Sequence, residues 1–109
     1  MIKVNVLSDS DGNYLGIEMK GHSGYAEHGK DIICASASAL ALNMANSVET
    51  FTEDGFEGSV EEETGQFLFR FTGDISTESK LLMKSLVLGL QSISDSYGEK
   101  YIKIGYKEV

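Results

Sequence analysis

The sequence predicts one α+β domain in which two helices pack against a mostly antiparallel sheet, with the element order ββαββαβ. Two kinds of periodicity predict it. Apolar and polar residues alternate in several short segments, as in half-buried strands, and apolar residues recur every three or four positions in two long segments, as in amphipathic helices. Turn residues separate these segments. The 109 residues, 1–109, are expected to form a single domain because a chain of this length supports one hydrophobic core.

The first three elements are two strands and a long helix. Residues 1–20 predict a β-hairpin around the turn segment SDSDGN, with alternating apolar positions at Ile2, Val4, Val6, Leu15, Ile17 and Met19. From Ile32 to Phe51 the apolar period becomes helical, and Asp31 is a suitable N-cap for that helix. Two glycines in the segment EDGFEG are predicted to end it.

The remaining elements repeat this alternation. A second hairpin is predicted around ETGQ, with Gly65 in the turn and apolar positions at Val60, Phe67, Phe69 and Phe71. A second helix begins near Thr77 and carries Leu82, Leu86, Leu90, Ile93 and Tyr97 on one face. The segment YGEK breaks it, and Tyr101 to Tyr106 are predicted to form the last strand.

Composition restricts the classes of function. Nine basic against seventeen acidic residues give a net charge of −8, which argues against direct binding to nucleic acid. An acidic surface either attracts a basic partner or only keeps the protein soluble. No apolar segment approaches the roughly 20 residues of a membrane span, and the N-terminus lacks a secretory pattern. One cysteine forms no internal disulfide, so a cytoplasmic protein with a free thiol is expected.

Two motifs resemble known ligand loops but differ at essential positions. The segment from Gly24 to Asp31 is similar to a phosphate-binding loop, yet Asp31 occupies the place of the hydroxyl residue and would oppose phosphate oxygens. The segment DSDGN resembles the start of a calcium loop, but Tyr14 and Lys20 replace the required glycine and glutamate. A hairpin turn is the better interpretation of the second.

The two histidines and the single cysteine lie close together in the chain, between residues 22 and 34. If Asp31 caps the helix, Cys34 lies in its first turn, where the helix dipole favours a thiolate. His22, which ends the predicted second strand, is a better partner for proton transfer than His28 in the middle of a loop. Two other interpretations stay open at this point: inert packing of Cys34, and a metal site that also includes Asp31, whose spacing matches no standard zinc pattern.

The segment GHSGYAEHGKDIICASASAL resembles the motif of the ribosomal-processing cysteine protease (Prp) family: Gly-His and a small residue, a glycine-bearing loop, then G-x-D-[IV]-[IV]-C-A. The resemblance implies His22 as base and Cys34 as nucleophile, without a metal or other cofactor. It implies a substrate, the precursor of large-subunit ribosomal protein twenty-seven, whose N-terminal extension is cut after an aromatic residue. It also implies a homodimer. The rival hypothesis is a non-catalytic assembly module that binds a basic ribosomal protein through its acidic face.

Five further groups have expected supporting roles. The backbone N–H groups of Cys34 and Ala35 are candidate oxyanion donors because the first turn of a helix leaves them without helical partners. Asp31 either caps the helix or orients His22. Ser38 lies one turn beyond Cys34 on nearly the same face and is a candidate to assist the site. The glycines Gly21, Gly24 and Gly29 suggest a mobile flap over residues 23–30 that orders on a bound peptide.

Overall fold

The structure, a computed structural model, describes residues 1–27 and 30–109. Its elements follow the predicted order: β1 (Ile2–Ser8), β2 (Tyr14–Lys20), α1 (Ile32–Phe51), β3 (Phe56–Glu61), β4 (Gln66–Phe71), α2 (Thr77–Tyr97) and β5 (Ile102–Glu108). Within the described residues the strands form one five-stranded sheet in the order β3-β4-β2-β1-β5. All neighbouring pairs are antiparallel except β1 with β5. The predicted fold class, α+β with a mostly antiparallel sheet, is confirmed.

One face of the sheet forms the hydrophobic core with the two helices. Strand residues of this face are buried because their side chains alternate between helix-covered and outer positions. The buried set includes Val4, Val6, Ile17, Met19, Phe67, Phe69, Phe71 and Ile102 from the strands, and Ile33, Ala37, Ala41, Met44, Val48, Met83, Leu86 and Leu90 from the helices. The helices thus form one layer and the sheet the other.

Helix α1 covers the predicted residues, Ile32–Phe51, but the predicted glycine stop is wrong. Asp31 is its N-cap and accepts hydrogen bonds from the N–H groups of Ile33 and Cys34. At its other end the glycines play no part. The N–H and hydroxyl of Thr52 both donate to the carbonyl of Val48, at 3.1 Å and 2.7 Å. The chain then becomes extended because β3 pairs with β4 from its first residue.

Helix α2 and strand β5 match their predicted positions closely. Ser76 caps α2 and accepts from the N–H of Ser79, and Asp54 in turn accepts from the hydroxyl of Ser76 at 2.6 Å. Gly98, with φ of 114°, ends the helix within the predicted break. Strand β5 continues two residues beyond the predicted end at Tyr106, because it pairs with β1 in parallel as far as Glu108.

The turn between β1 and β2 confirms the interpretation of DSDGN as a hairpin turn. The carboxylate of Asp9 accepts from the N–H groups of Asp11 and Asn13, each at 2.9 Å. These local bonds are typical of an Asx turn. In the described part of the chain, no helix is long and apolar enough to cross a membrane.

Candidate active site

A groove of about 730 Å³ lies between α1 and the β3–β4 hairpin, with β1 and β2 at its floor. The wall formed by α1 is lined mainly by small side chains, and the opposite wall by the tip of the hairpin. Lining residues include Met19, Cys34, Ala37, Ser38, Ala41, Val60 and Phe67. His22 and Cys34 both line this groove, so the structure brings together the two residues predicted as base and nucleophile.

His22 lies just beyond the end of β2, at Lys20, rather than within the strand. Its Nε2 atom is 2.7 Å from the backbone carbonyl oxygen of Glu63, in the β3–β4 hairpin. The preceding residue, Gly21, donates its N–H to the carbonyl of Thr64 at 3.0 Å. The hairpin tip therefore contacts both Gly21 and His22. Because β2 ends before His22, the position of the imidazole depends on this contact with the hairpin.

Cys34 is half-buried in the first turn of α1 and carries a free thiol. The backbone N–H of Ser23 donates to its Sγ atom at 3.3 Å. Ser23 is almost completely buried, at 2% exposure, and its hydroxyl donates to the carboxylate of Asp31. An N–H directed at sulfur favours negative charge there, because hydrogen bonding to a charged form stabilises that form. The residue after His22 therefore connects the predicted base to the predicted nucleophile.

Asp31 is the centre of a hydrogen-bond network around Cys34. One carboxylate oxygen accepts from the N–H groups that begin α1, and the other accepts from Ser23, Tyr25 and Ala26 in the preceding loop. Burial raises the pKa of this carboxyl group, but the hydrogen bonds outweigh it and lower the pKa from 3.8 to about 2. Asp31 thus caps the helix and also shapes the loop between His22 and Cys34.

The structure contradicts one premise of the prediction that Cys34 and Ala35 supply the oxyanion donors. The N–H of Cys34 donates to the Asp31 carboxylate, and the N–H of Ala35 donates to the Asp31 carbonyl, both at 3.0 Å. The sequence argument assumed that these groups lack partners. Capping by Asp31 supplies the partner of Cys34, and the first regular helical bond supplies that of Ala35. Both N–H groups thus have an acceptor in this structure, and their role as oxyanion donors stays a prediction.

The described part of the predicted flap, residues 23–27, is attached to the body of the protein. Asp31 accepts from the backbone of Tyr25 and Ala26, and the Tyr25 ring contacts the rings of Tyr97 and Tyr101 edge to face. Of the predicted flap glycines, Gly21 and Gly24 have φ angles of 97° and 73°. Gly29 and the alternative base His28 lie outside the described residues, and flap motion stays a prediction.

Ser38 is exposed and lines the same groove as Cys34, one turn farther along α1. The predicted assistance of Ser38 to the site stays a prediction. Among the residues that the structure describes, no group of three or more His, Cys, Asp or Glu side chains is arranged to hold a metal ion.

The family sequence profile described as cysteine protease Prp matches residues 1–103. The chain belongs to this family. It is therefore a cysteine protease. The ribosomal processing cysteine protease Prp of Staphylococcus aureus (strain Mu50 / ATCC 700699) is 29% identical over 107 residues, covering 98% of this chain and 100% of that protein. The Prp of Bacillus subtilis (strain 168) is 31% identical over 103 residues, covering 89% and 90%.

The fold is also similar to solved Prp structures. The S. aureus ribosomal processing protease Prp with a covalently linked product peptide superposes with a TM-score of 0.91 at 28% identity, covering 98% of this chain and 100% of that one. The same enzyme with a substrate peptide gives a TM-score of 0.86 at 27% identity, with the same coverage. The S. aureus enzyme thus binds peptides, and one of its structures contains a covalently linked product peptide.

Sequence reasoning missed two groups that this geometry makes important. Ser23 entered only as a small residue in the motif, although a serine between a histidine and a possible capping aspartate is a usable signal for a hydrogen bond. The carbonyl of Glu63 gave no signal, because a backbone acceptor 41 residues from His22 leaves no mark on residue type.

Proposed function

We propose that this cysteine protease removes the N-terminal extension of the precursor of large-subunit ribosomal protein twenty-seven, with Cys34 as nucleophile and His22 as base. The observation that carries the proposal is the presence of Cys34 and His22 at one groove in a chain of the Prp family. The names of the relatives, which include ribosomal processing, support the class of substrate. Because the substrate is a ribosomal protein, we assign the reaction to the cytoplasm.

The reaction proceeds through an acyl-enzyme. His22 takes the thiol proton of Cys34, and the thiolate attacks the scissile carbonyl carbon to form a tetrahedral intermediate. The C–N bond then breaks as the imidazolium returns the proton to the leaving amine. Water, deprotonated by His22, hydrolyses the thioester, which releases the carboxylic acid and restores the thiol of Cys34. The Ser23 N–H supports the negative charge on sulfur at the start of this cycle.

The groove is suited to a substrate with an apolar residue at the cleavage site and basic residues near it. Ala37, Ser38 and Ala41 leave room along α1 for a large side chain, and Phe67 adds an apolar surface. The consecutive residues Glu61, Glu62 and Glu63 line the opposite wall. Such a wall complements a basic ribosomal precursor, because opposite charges favour encounter and orientation.

Mass spectrometry of a precursor peptide tests the proposal. Wild-type protein is expected to cut a peptide that contains the intact extension once, at the junction of the extension. A sample quenched in acid during turnover is expected to contain the extension as a thioester on Cys34. If the peptide binds but stays whole and no adduct forms, the rival assembly-module hypothesis is favoured. An adduct at another residue, or cuts spread along the peptide, would contradict the proposed mechanism or substrate.

We further propose that the active form is a homodimer that uses the outer face of α2. Leu81 and Leu88 lie two turns apart on this helix, and each is 69% exposed. Sedimentation is expected to show a dimer for wild type and a monomer for Leu88→Glu, since a buried unpaired carboxylate is unfavourable. Tyr106→Glu changes an exposed residue of β5 and should stay dimeric. A monomeric wild type, or a dimeric Leu88→Glu, would refute this interface.

A further inference from the structure

The hydrogen bond between His22 and Glu63 determines which ring nitrogen carries a proton. A backbone carbonyl oxygen only accepts hydrogen bonds. The Nε2 atom of His22, 2.7 Å from the Glu63 carbonyl, must therefore be the donor. In the neutral ring this assigns the proton to Nε2 and leaves the basic lone pair on Nδ1. If His22 is the base, as proposed above, Nδ1 is the atom that takes the Cys34 proton.

The hairpin tip that supplies this carbonyl packs closely against Gly21 and His22. The turn from Glu62 to Gly65 closes with a hydrogen bond from the Gly65 N–H to the Glu62 carbonyl at 3.2 Å. Gly65 has a φ of 67°, and a Cβ atom there would lie 2.1 Å from the Gly21 carbonyl oxygen. A side chain at position 65 would push the hairpin away from His22. The glycine therefore allows the approach that the Glu63–His22 bond requires.

Asp31, the residue type expected to orient a catalytic histidine, is engaged elsewhere. Its two oxygens accept five hydrogen bonds from Ser23, Tyr25, Ala26, Ile33 and Cys34. The acceptor that faces Nε2 of His22 comes instead from the opposite wall of the groove. Catalytic triads use such an acceptor to hold the tautomer and the ring orientation, and to stabilise the imidazolium.

We propose that the backbone carbonyl of Glu63 is the orienting group for His22, so that the β3–β4 hairpin, rather than an acidic side chain, completes a Cys34–His22–carbonyl triad. This inference rests on the proposed roles of His22 and Cys34. Glu63 is a positioning residue, because it acts through His22 and not on the substrate. The contact is made by the backbone carbonyl of Glu63 and not by its side chain.

Backbone esters in the full-length chain, made by semisynthesis, test the proposal. An ester in place of the amide between Glu63 and Thr64 weakens the Glu63 carbonyl as an acceptor and alters no side chain. It also removes the Thr64 N–H, which has no hydrogen-bond acceptor among the described residues. The matched control is an ester between Thr64 and Gly65, which weakens the Thr64 carbonyl and removes the Gly65 N–H. The control weakens the Gly21–Thr64 hydrogen bond and removes the Gly65–Glu62 hydrogen bond, but it leaves the Glu63 carbonyl intact.

The first ester is expected to lower kcat about tenfold with KM changed less than about twofold, as loss of an orienting partner does. It should also speed the exchange of the His22 Nε2 proton, followed by NMR, and shift the pH profile of kcat/KM. The control ester should leave all three close to wild type. An equal loss of kcat in both esters would show that the hairpin has only a structural role, and it would overturn the proposal. A wild type that cleaves no peptide would instead refute the proposed function, and the role of Glu63 in it.

Discussion

Cys34→Ala is expected to abolish cleavage of the precursor peptide, and His22→Ala to lower kcat by about 10² to 10⁴, the range for loss of a general acid–base group. Without Cys34 no acyl-enzyme forms. Without His22 the thiol lacks a proton acceptor and the leaving amine lacks a donor. His22 is exposed and Cys34 half-buried, so neither substitution should reduce the melting temperature by much. Stopped-time mass spectrometry of the products gives the rates.

His28→Ala is the matched control for these variants, because His28 is the other histidine of the chain. It should keep nearly the full kcat. A loss in His28→Ala equal to that in His22→Ala would show that the base was wrongly assigned. Normal turnover by Cys34→Ala would exclude the acyl-enzyme altogether.

Asp31→Ala is expected to lower both the free energy of unfolding and kcat. Loss of the helix cap costs about 1–2 kcal/mol, and the buried Ser23 hydroxyl loses its acceptor at a further cost of about 1–3 kcal/mol. A total of about 3 kcal/mol corresponds to a fall of roughly 10–20 °C in melting temperature for a domain of this size. The activity falls because Asp31 holds both Cys34 and the loop that begins at Ser23. Calorimetry and peptide cleavage measure the two effects.

Asp31→Asn separates the two roles considered for this residue. The asparagine oxygen still accepts from the start of α1, while its amide group opposes the donors of Ser23, Tyr25 and Ala26. An intermediate loss of stability is therefore expected to accompany any loss of kcat. A large loss of kcat with an unchanged melting temperature would show that the charge of Asp31 acts on His22.

The difference in unfolding free energy between wild type and Asp31→Asn is expected to depend on pH. The pKa of Asp31 is lower in the folded protein, about 2, than its ordinary value of 3.8. The stabilisation that it provides is complete above about pH 4 and is lost as the pH falls toward 2, because the unfolded chain then binds the proton more tightly. The difference in unfolding free energy between wild type and Asp31→Asn should shrink over that interval. A constant difference would contradict the ionised network.

Local patterns were sufficient for most of the fold. The alternation of Phe67, Phe69 and Phe71 and the helical spacing from Leu82 to Leu90 reflect burial on one face, which depends on periodicity alone. The cap at Asp31 follows from its residue type and its place before an apolar period. The last residue of α1, Phe51, agrees with the predicted stretch, but the predicted glycine stop was wrong, because the helix ends at Thr52, whose N–H and hydroxyl both donate to the Val48 carbonyl.

By itself the sequence determined the elements and the family resemblance, and it predicted the pairing of His22 with Cys34, since these depend on periodicity and on residue types in a local motif. Only the tertiary structure decided how the two residues are held. The Ser23 N–H at Cys34 and the three hydrogen bonds that Asp31 accepts from Ser23, Tyr25 and Ala26 depend on the path of a loop. The carbonyl at Nε2 of His22 comes from a hairpin distant in sequence. Every residue has the same backbone carbonyl, so its position in space, and not its residue type, determines its role.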